Sequence, residues 1–296
     1  MDPRLETNRT NWDSRVQIHA HSRFYDVDSW LRDAPGPPNR EVEALGDLTG
    51  KTLVHLQCHF GMDTLSWARA GAIVTGVDFS SAAIDEARSL AQRAGLSDRS
   101  TFVCANVLDA PRALSGARFD VAYVSLGSLC WLPDVDAWGG VVADLLEPWG
   151  RLYIHDVHPL SECLDSDGER VTYGYFEEPN EPLIFDDSST YTDGGKLGES
   201  TTYEWNHSIG EIVASLMSRG FVLDALMEHD WTVFQQFPWL IDTTSGVFSI
   251  PEGRVRIPLS FTILARAPRV TKESTQPDPS NGKPQGALVR HPAISL

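Results

Sequence analysis

Short apolar runs alternate with amphipathic helical patterns between Lys51 and Val157, and this rhythm constrains the fold more than any other feature of the sequence. The runs cover residues 52–57, 72–78, 101–105, 119–126 and 151–157. Strands that alternate with helices are typical of βαβ units, which form a parallel sheet with right-handed crossovers. Two later apolar runs, 221–229 and 260–267, are interpreted as the last strands. We therefore predict an α/β fold with a mostly parallel seven-stranded sheet and helices on both faces.

Capping residues indicate where the helices begin. Asp63 or Thr64 can cap the first helix of the alternating region, and Ser80 can cap the second. Ser208 and Glu211 have the spacing of a capping box before a later helix. A further helix is predicted from a single apolar stripe formed by Val135, Trp138, Val142 and Leu145.

The pattern divides the chain into five segments. These are a polar, aromatic-containing segment (1–45), a cofactor-binding half of the sheet (46–159), an insertion or lid (160–206), a region that completes the sheet (207–268) with a long aromatic loop at 231–257, and a disordered tail (269–296). The insertion interrupts the regular alternation and is rich in Asp, Glu, Gly and Tyr.

Bulk charge and composition restrict the partners. With a net charge of −17, the chain has the wrong sign for a phosphate backbone, so we expect a small-molecule partner and no nucleic acid. The four cysteines form no CxxC pair, which is typical of free thiols in a reducing compartment. No apolar stretch approaches the roughly 20 residues of a membrane helix, and the N-terminus lacks a signal peptide's apolar segment. We therefore expect a cytoplasmic monomer or homodimer with no membrane partner.

The most informative stretch joins the first two predicted strands. Residues 53–65 (LVHLQCHFGMDTL) run from a strand through a turn containing Gly61 into a helix, and residues 76–80 (GVDFS) end the second strand in Asp78. In a Rossmann-like fold, the amides of the first turn face a nucleotide cofactor, and an acid at the end of the second strand accepts hydrogen bonds from the ribose hydroxyls. This layout predicts an adenosine-bearing ligand near Gly61 and Asp78.

The same stretch resembles class I S-adenosylmethionine-dependent methyltransferases. More narrowly, LQCHFG (56–61) with the DTLSWAR and VTGVDFS segments resembles a largely bacterial subgroup of that family. Four further regions are similar to later family segments in the same order: 102–110, 119–134, 147–159, and the C-terminal pair 204–213 and 228–240. The resemblance extends over roughly residues 8–268.

The resemblance implies S-adenosyl-L-methionine as cofactor and S-adenosyl-L-homocysteine as product. It assigns cofactor contacts to Gln57, His59, Gly61, Asp78, Phe79, Ser80, Asn106, Val107 and Ser125. The chain departs from the family pattern at three points: His55 replaces the usual acid on the first strand, Gln57 and His59 replace loop glycines, and Asn106 replaces the aspartate near the adenine. Because glycine permits close approach of the backbone to a ligand, the replaced loop glycines imply that the methionine end of the cofactor sits differently or contacts side chains directly. His55 is also interpreted as a core histidine with satisfied hydrogen bonds, and Cys58 as a packing residue.

The acceptor site is expected beyond the fourth and fifth strands, where open α/β sheets bind their ligands. His158 and His207 are the candidate general bases, although each could instead orient backbone at a turn or helix start. The candidate substrate-binding residues are Tyr25, Trp131 and Trp205. Asp156 alone gives no acidic cluster, so we expect no metal.

We hypothesise that the N-terminal segment, the insertion and the aromatic loop form one cap over the site, with Trp131, His158, Trp205 and His207 in a common pocket. The expected function is in-line transfer of a methyl group to an O, N, S or C nucleophile of a small molecule. Two alternatives are a fold relative that binds the cofactor without transferring methyl, and a nicotinamide-dependent oxidoreductase, which would keep an intact GxGxxG.

Overall fold

A seven-stranded sheet lies at the centre of the protein in the computed structural model, which describes residues 2–176, 181–244 and 246–269. Seven of the twelve strands in the described residues form this sheet, and the other five form two small sheets. In chain order the strands are β1 (Thr52–Leu56), β2 (Ile73–Asp78), β3 (Ser100–Cys104), β4 (Phe119–Val124), β5 (Leu146–Val157), β6 (Leu183–Asp186), β7 (Thr201–Glu204), β8 (Val222–His229), β9 (Trp231–Thr232), β10 (Ile241–Thr244), β11 (Val247–Ser249) and β12 (Ser260–Arg266). The expected tail lies outside the described residues from position 270 onward.

The strand order of the main sheet is β3-β2-β1-β4-β5-β12-β8. Strands β1 to β5 pair in parallel, and β12 is antiparallel to both of its neighbours. The seven apolar runs in the sequence correspond to these seven strands, so the predicted mostly parallel sheet is confirmed. The carboxyl ends of the five parallel strands consequently meet along one edge.

The helices are α1 (Pro3–Ala20), α2 (Val27–Asp33), α3 (Asn39–Leu45), α4 (Met62–Arg69), α5 (Ser81–Arg93), α6 (Ala110–Ala113), α7 (Val135–Leu145), α8 (Pro159–Glu162) and α9 (Ile209–Met217). The Ser208–Glu211 capping box and the Ser80 cap are present as predicted. The cap predicted for the first helix of the sheet is wrong, because α4 begins after Gly61 and neither Asp63 nor Thr64 caps it.

Alternating side chains of the strands fill two layers of core. On β4, Ala122 and Val124 pack in a cluster with α7 and α9, whereas Val121 and Tyr123 pack in another with Trp67 of α4. Because successive strand residues point to opposite faces, these clusters cover the two sides of the sheet. Helices therefore lie on both faces, as the sequence predicts.

Helix α1 packs on the hairpin formed by β6 and β7. Asn8 exchanges two hydrogen bonds with the Tyr203 backbone, at 2.7 and 2.8 Å, and the Asn11 amide donates to the Glu199 carbonyl at 2.7 Å. Both asparagines are fully buried. The N-terminal segment and the insertion are thus joined by side-chain-to-backbone bonds rather than by the main sheet.

The region 231–257 is not the continuous loop that the sequence suggests. It contains a small antiparallel sheet in the order β10-β11-β9. Short strands of two to four residues give too little alternation to be recognised in a sequence.

Across the described residues, no helix combines the length and apolarity required to cross a membrane.

Adjacent serines at the start of α5 provide a matched test of these contacts. Ser80 Oγ accepts from the Ala83 amide at 3.0 Å and donates to Asp13 of α1 at 2.6 Å, whereas Ser81 is exposed. Ser80→Ala should lower the free energy of unfolding by about 1–2 kcal/mol because it removes the cap and the tie to α1. Ser81→Ala should change it by less than about 0.5 kcal/mol. Urea denaturation measures both, and equal stabilities would contradict this assignment.

Candidate active site

A cavity of about 460 Å³ lies along the carboxyl edge of the parallel strands. Its lining follows the strand order: Asn106 after β3, Asp78 at the end of β2, Gln57 to Asp63 after β1, Ser125 after β4, and His155 and Val157 on β5. This volume is within the usual range for small-molecule and cofactor sites. The position is the one that open α/β sheets use for ligands.

The turn after β1 has three residues with positive φ. Gln57 has φ of 58°, His59 has φ of 49° and Gly61 has φ of 80°. Glycine adopts such angles without cost, whereas a residue with a Cβ loses roughly 1–2 kcal/mol. Gln57 and His59 therefore keep a backbone conformation that favours glycine, and surrounding contacts must hold them there.

The carboxylate of Asp78 holds this turn in place. Oδ2 accepts from the His59 amide and Oδ1 from the Ser80 amide, both at 2.9 Å. Burial raises the pKa of Asp78 to about 6, while the backbone amides of Ser80 and His59 oppose the rise. Each carboxylate oxygen retains further acceptor capacity toward the cavity.

Gly61 allows α4 to begin close to the sheet. A Cβ on this residue would lie 2.7 Å from Cε1 of Phe102 and 3.1 Å from Cβ of Ala87. The amide end of α4 can therefore approach the cavity only with glycine at this position.

The remaining expected cofactor residues divide into two groups. Phe79, Asn106, Val107 and Ser125 line the cavity. Ser80 does not line it; its side chain is used by the α5 cap and by Asp13. The structure therefore shows a structural role for the Ser80 side chain.

His55 is a core histidine, as the sequence analysis expects. Nδ1 is 2.7 Å from Thr64 Oγ1 and Nε2 is 3.0 Å from Ser125 Oγ. Burial lowers the pKa of His55 to about 3, so the ring is neutral at physiological pH. The buried Cys58 lines the cavity and packs with the Phe60 and Phe102 cluster.

The structure contradicts the predicted acceptor pocket for both candidate bases. His158 caps α8 through Nδ1, which accepts from the Leu160 amide at 3.0 Å, and Nε2 bonds Glu228 at 2.8 Å. His207 is buried, with Nε2 2.7 Å from the Leu132 carbonyl. Neither histidine lines the cavity. Both have the backbone-orienting roles that the sequence analysis left open as alternatives.

Trp205 is also misplaced by the sequence prediction, whereas Tyr25 and Trp131 are not. Trp205 is buried beside a separate small recess that His207 also lines, and Arg4 lies 5.5 Å above its ring. Tyr25 and Trp131 line the main cavity. Of the four side chains expected to converge, only Trp131 reaches it.

The cover of the cavity draws on three segments that are distant in sequence. The lining includes Trp12 and Tyr25 from the N-terminal segment, Tyr191 from the insertion and Phe234 from the region 231–257. The hydroxyls of Tyr25 and Tyr191 form a hydrogen bond at 2.5 Å, and the Trp12 and Trp131 rings pack edge to face with their centroids 5.3 Å apart. His19 of α1 also bonds the His59 ring at 2.9 Å, which links the cover to the turn after β1.

Several titratable groups in the cavity carry no signal in the sequence. Arg40 and Glu41 come from α3, Asp63 from α4 and His155 from β5. In the sequence, α3 is a short polar segment that follows a group of prolines, and Asp63 has the appearance of a helix cap. Only the packing of α3 over the sheet edge brings these groups together. Within the described ranges, no group of three or more His, Cys, Asp or Glu residues could hold a metal ion.

Comparison with known proteins shows what this core is similar to. Residues 54–150, which contain the turn after β1, Asp78, Asn106 and Ser125, match the family model described as a methyltransferase domain. Methyltransferase phqN of Penicillium fellutanum is 27% identical over 191 residues, covering 64% of this chain and 51% of that protein. The 27-O-demethylrifamycin SV methyltransferase of Amycolatopsis mediterranei (strain S699) is 32% identical over 127 residues, covering 41% of this chain and 45% of that enzyme.

The chain spans about half the length of these curated relatives. The solved structure of a S-adenosylmethionine-dependent methyltransferase from Clostridium acetobutylicum is 14% identical, with a TM-score of 0.52, and covers 82% of this chain and 92% of that one. Residues 54–150 are thus similar to a methyltransferase domain, and the sheet has the fold of S-adenosylmethionine-dependent methyltransferases.

Substitution of Gly61 and of Gly95, which both have positive φ, distinguishes the cost of backbone strain from the cost of a steric clash. At Gly95, φ is 68° and a Cβ would meet nothing within 4 Å, whereas at Gly61 it would meet the Phe102 ring. Gly95→Ala should cost about 1–2 kcal/mol of stability through strain alone. Gly61→Ala should cost about 1–3 kcal/mol more because the ring must move. Urea denaturation tests the difference, and equal losses would mean that Phe102 does not restrict this turn.

Proposed function

We propose that this protein is a S-adenosylmethionine-dependent methyltransferase that acts on a small molecule. The observation that carries the proposal is the continuous cavity at the edge of a methyltransferase domain, with the turn after β1 and Asp78 in its wall. The LQCHFG turn supports placing the chain in the bacterial subgroup that shares this motif.

The cofactor would occupy the part of the cavity at β1, β2 and β3. Asp78 would accept hydrogen bonds from the ribose hydroxyls with the acceptor capacity that its two backbone bonds leave. Phe79, Asn106 and Val107 would surround the adenine, and the start of α4 after Gly61 would direct its amides toward the ligand. When bound, the cofactor supplies an activated methyl group with a neutral leaving group.

The acceptor would occupy the end of the cavity at β4 and β5, under the cover. Trp131 and Phe234 line the cavity there, and Tyr25 and Tyr191 extend the aromatic cover over the turn after β1. Together these rings would exclude water and position a small acceptor. His155 also lines the cavity, with Nδ1 3.0 Å from Thr262 Oγ1 and Nε2 without a partner among the described residues. Burial, with the charge of Arg40, lowers the pKa of His155 to about 3, so a neutral imidazole would face the acceptor.

Removal of Asp78 tests the cofactor site. Asp78→Ala should weaken binding of S-adenosylhomocysteine by about 1.5–3 kcal/mol, the usual range for a hydrogen bond to a charged group. Asp85→Ala is the control, because Asp85 is an exposed acid on α5 whose loss changes the net charge equally. Isothermal titration calorimetry measures both, and wild-type affinity in Asp78→Ala would exclude this site.

The raised pKa of Asp78 also predicts a pH dependence of cofactor binding. A carboxylate accepts from the ribose hydroxyls more strongly than the protonated acid does. With a pKa of about 6, Asp78 is mostly charged at pH 7.5 and mostly protonated at pH 5. Affinity for S-adenosylhomocysteine should therefore fall as the pH decreases through 6, and Asp78→Ala should show a smaller fall. A parallel fall in both proteins would assign the effect to another group.

A further inference from the structure

The amino-acid end of S-adenosylmethionine carries an ammonium and a carboxylate group, and a cavity wall must compensate both charges. The family's usual acid on the first strand is absent from this chain, because His55 stands in its place. Both of its ring nitrogens are engaged, by Thr64 and Ser125, and the ring is neutral. His55 therefore cannot compensate an ammonium group, and another residue must do so.

Asp63, the second residue of α4, offers a carboxylate just after the turn that follows β1. Its side chain lines the cavity and is exposed there, although protein surrounds it on the other sides. Among the described residues it forms no ion pair. Burial raises the pKa of Asp63, and the charge of Arg40 and the Ser125 side chain oppose the rise. A cationic group beside this carboxylate would offset its desolvation.

Arg40 offers a cation at the same part of the cavity. Its Nε has no hydrogen-bond partner among the described residues, and its ion-pair contact, with Glu41, is long at 3.8 Å. Burial and the charge of Asp63 raise the pKa of Glu41 to about 8, so Glu41 is mostly protonated at pH 7. Glu41 also accepts from the Tyr123 hydroxyl at 2.8 Å. The Arg40 guanidinium also lies 5.7 Å from the centroid of the Trp231 ring, a contact that leaves its Nε donor open to an anionic ligand.

Gln57 adds a neutral acceptor between these charges and the turn. Its Nε2 donates to the Ser128 carbonyl at 2.7 Å, which fixes the orientation of the amide. Its Oε1 is buried and has no hydrogen-bond partner among the described residues. A buried acceptor without a partner is destabilising, and a ligand N–H at this point would satisfy it.

Asp63, Arg40 and Gln57 lie beside the proposed adenosine site, where the amino-acid end of a bound cofactor would extend. The proposed adenosine site is at the ends of β2 and β3, and the next strand ends along the sheet are those of β1 and β4. Gln57 and Asp63 follow β1, and Glu41, the neighbour of Arg40, contacts Tyr123 of β4. These side chains are thus adjacent to the proposed adenosine site and do not overlap it.

We propose that Asp63 and Gln57 Oε1 bind the ammonium group of S-adenosylmethionine and that Arg40 binds its carboxylate. This inference rests on the proposed function. The methionine end would thus be bound by side chains of α3, of α4 and of the turn after β1.

Two ligands that differ only at this end provide the test. S-adenosylhomocysteine contains the amino-acid group, and 5′-methylthioadenosine keeps the adenosine and sulfur but lacks it. Asp63→Asn and Arg40→Gln should each weaken S-adenosylhomocysteine by about 10- to 100-fold, the effect of one charge-assisted bond. Each should change binding of 5′-methylthioadenosine by less than about threefold, because that ligand leaves both groups unused. Isothermal titration calorimetry on the full chain measures all affinities.

Matched controls come from an exposed pair elsewhere. Arg32 and Asp33 form a 2.9 Å ion pair at the end of α2, with side chains 65% and 61% exposed, away from the cavity lining. Arg32→Gln and Asp33→Asn make the same chemical changes and should leave both affinities unaltered. Thermal denaturation of every variant confirms that it is folded at the temperature of the titration.

The outcomes separate this inference from the proposed function. Wild-type affinity for S-adenosylhomocysteine in either Asp63→Asn or Arg40→Gln overturns the inference. An equal loss for both ligands also overturns it, because the variant then acts on the whole site. If the wild-type protein binds neither ligand, the proposed function itself fails, and the inference with it.

Discussion

The carboxylate of Asp78 is the contact on which the proposed cofactor site depends. It joins the amide of His59 in the turn after β1 to the amide of Ser80 at the start of α5. Two residues of that turn hold positive φ without being glycine, and such strain persists only where neighbouring contacts over-determine the backbone. One buried acid therefore performs two tasks, since it fixes the turn and presents its remaining acceptor capacity to the cavity.

The architecture could be predicted from the sequence because it is written in local periodicity. Seven apolar runs gave seven strands, and the Ser80 and Ser208 caps are formed by residues within three positions of one another. The candidate site could be predicted best near the ends of the strands. Gly61, Asp78 and Asn106 have this position, and each lines the cavity, as do the predicted aromatic residues Tyr25 and Trp131.

The acceptor side could not be predicted in the same way, because it depends on tertiary packing. His158 and His207 lie at the expected ends of elements, yet the direction of each ring is set by a distant partner, Glu228 in one case and the Leu132 carbonyl in the other. Conversely, Arg40 and Glu41 reach the cavity only because α3 packs over the sheet edge. No spacing along the chain encodes such contacts, which join residues 70 or more positions apart.

Part of the cover over the cavity is held by contacts outside the main sheet. Helix α1 is bound to the β6–β7 hairpin by Asn8 and Asn11, and its Trp12 lines the cavity and belongs to none of the hydrophobic clusters. Substitution of Trp12 can consequently reshape the cavity wall without removing a side chain from the core of the sheet. Residues of the cover can therefore vary and change the chemistry of the site, while selection on stability acts mainly on the sheet and the helices packed against it.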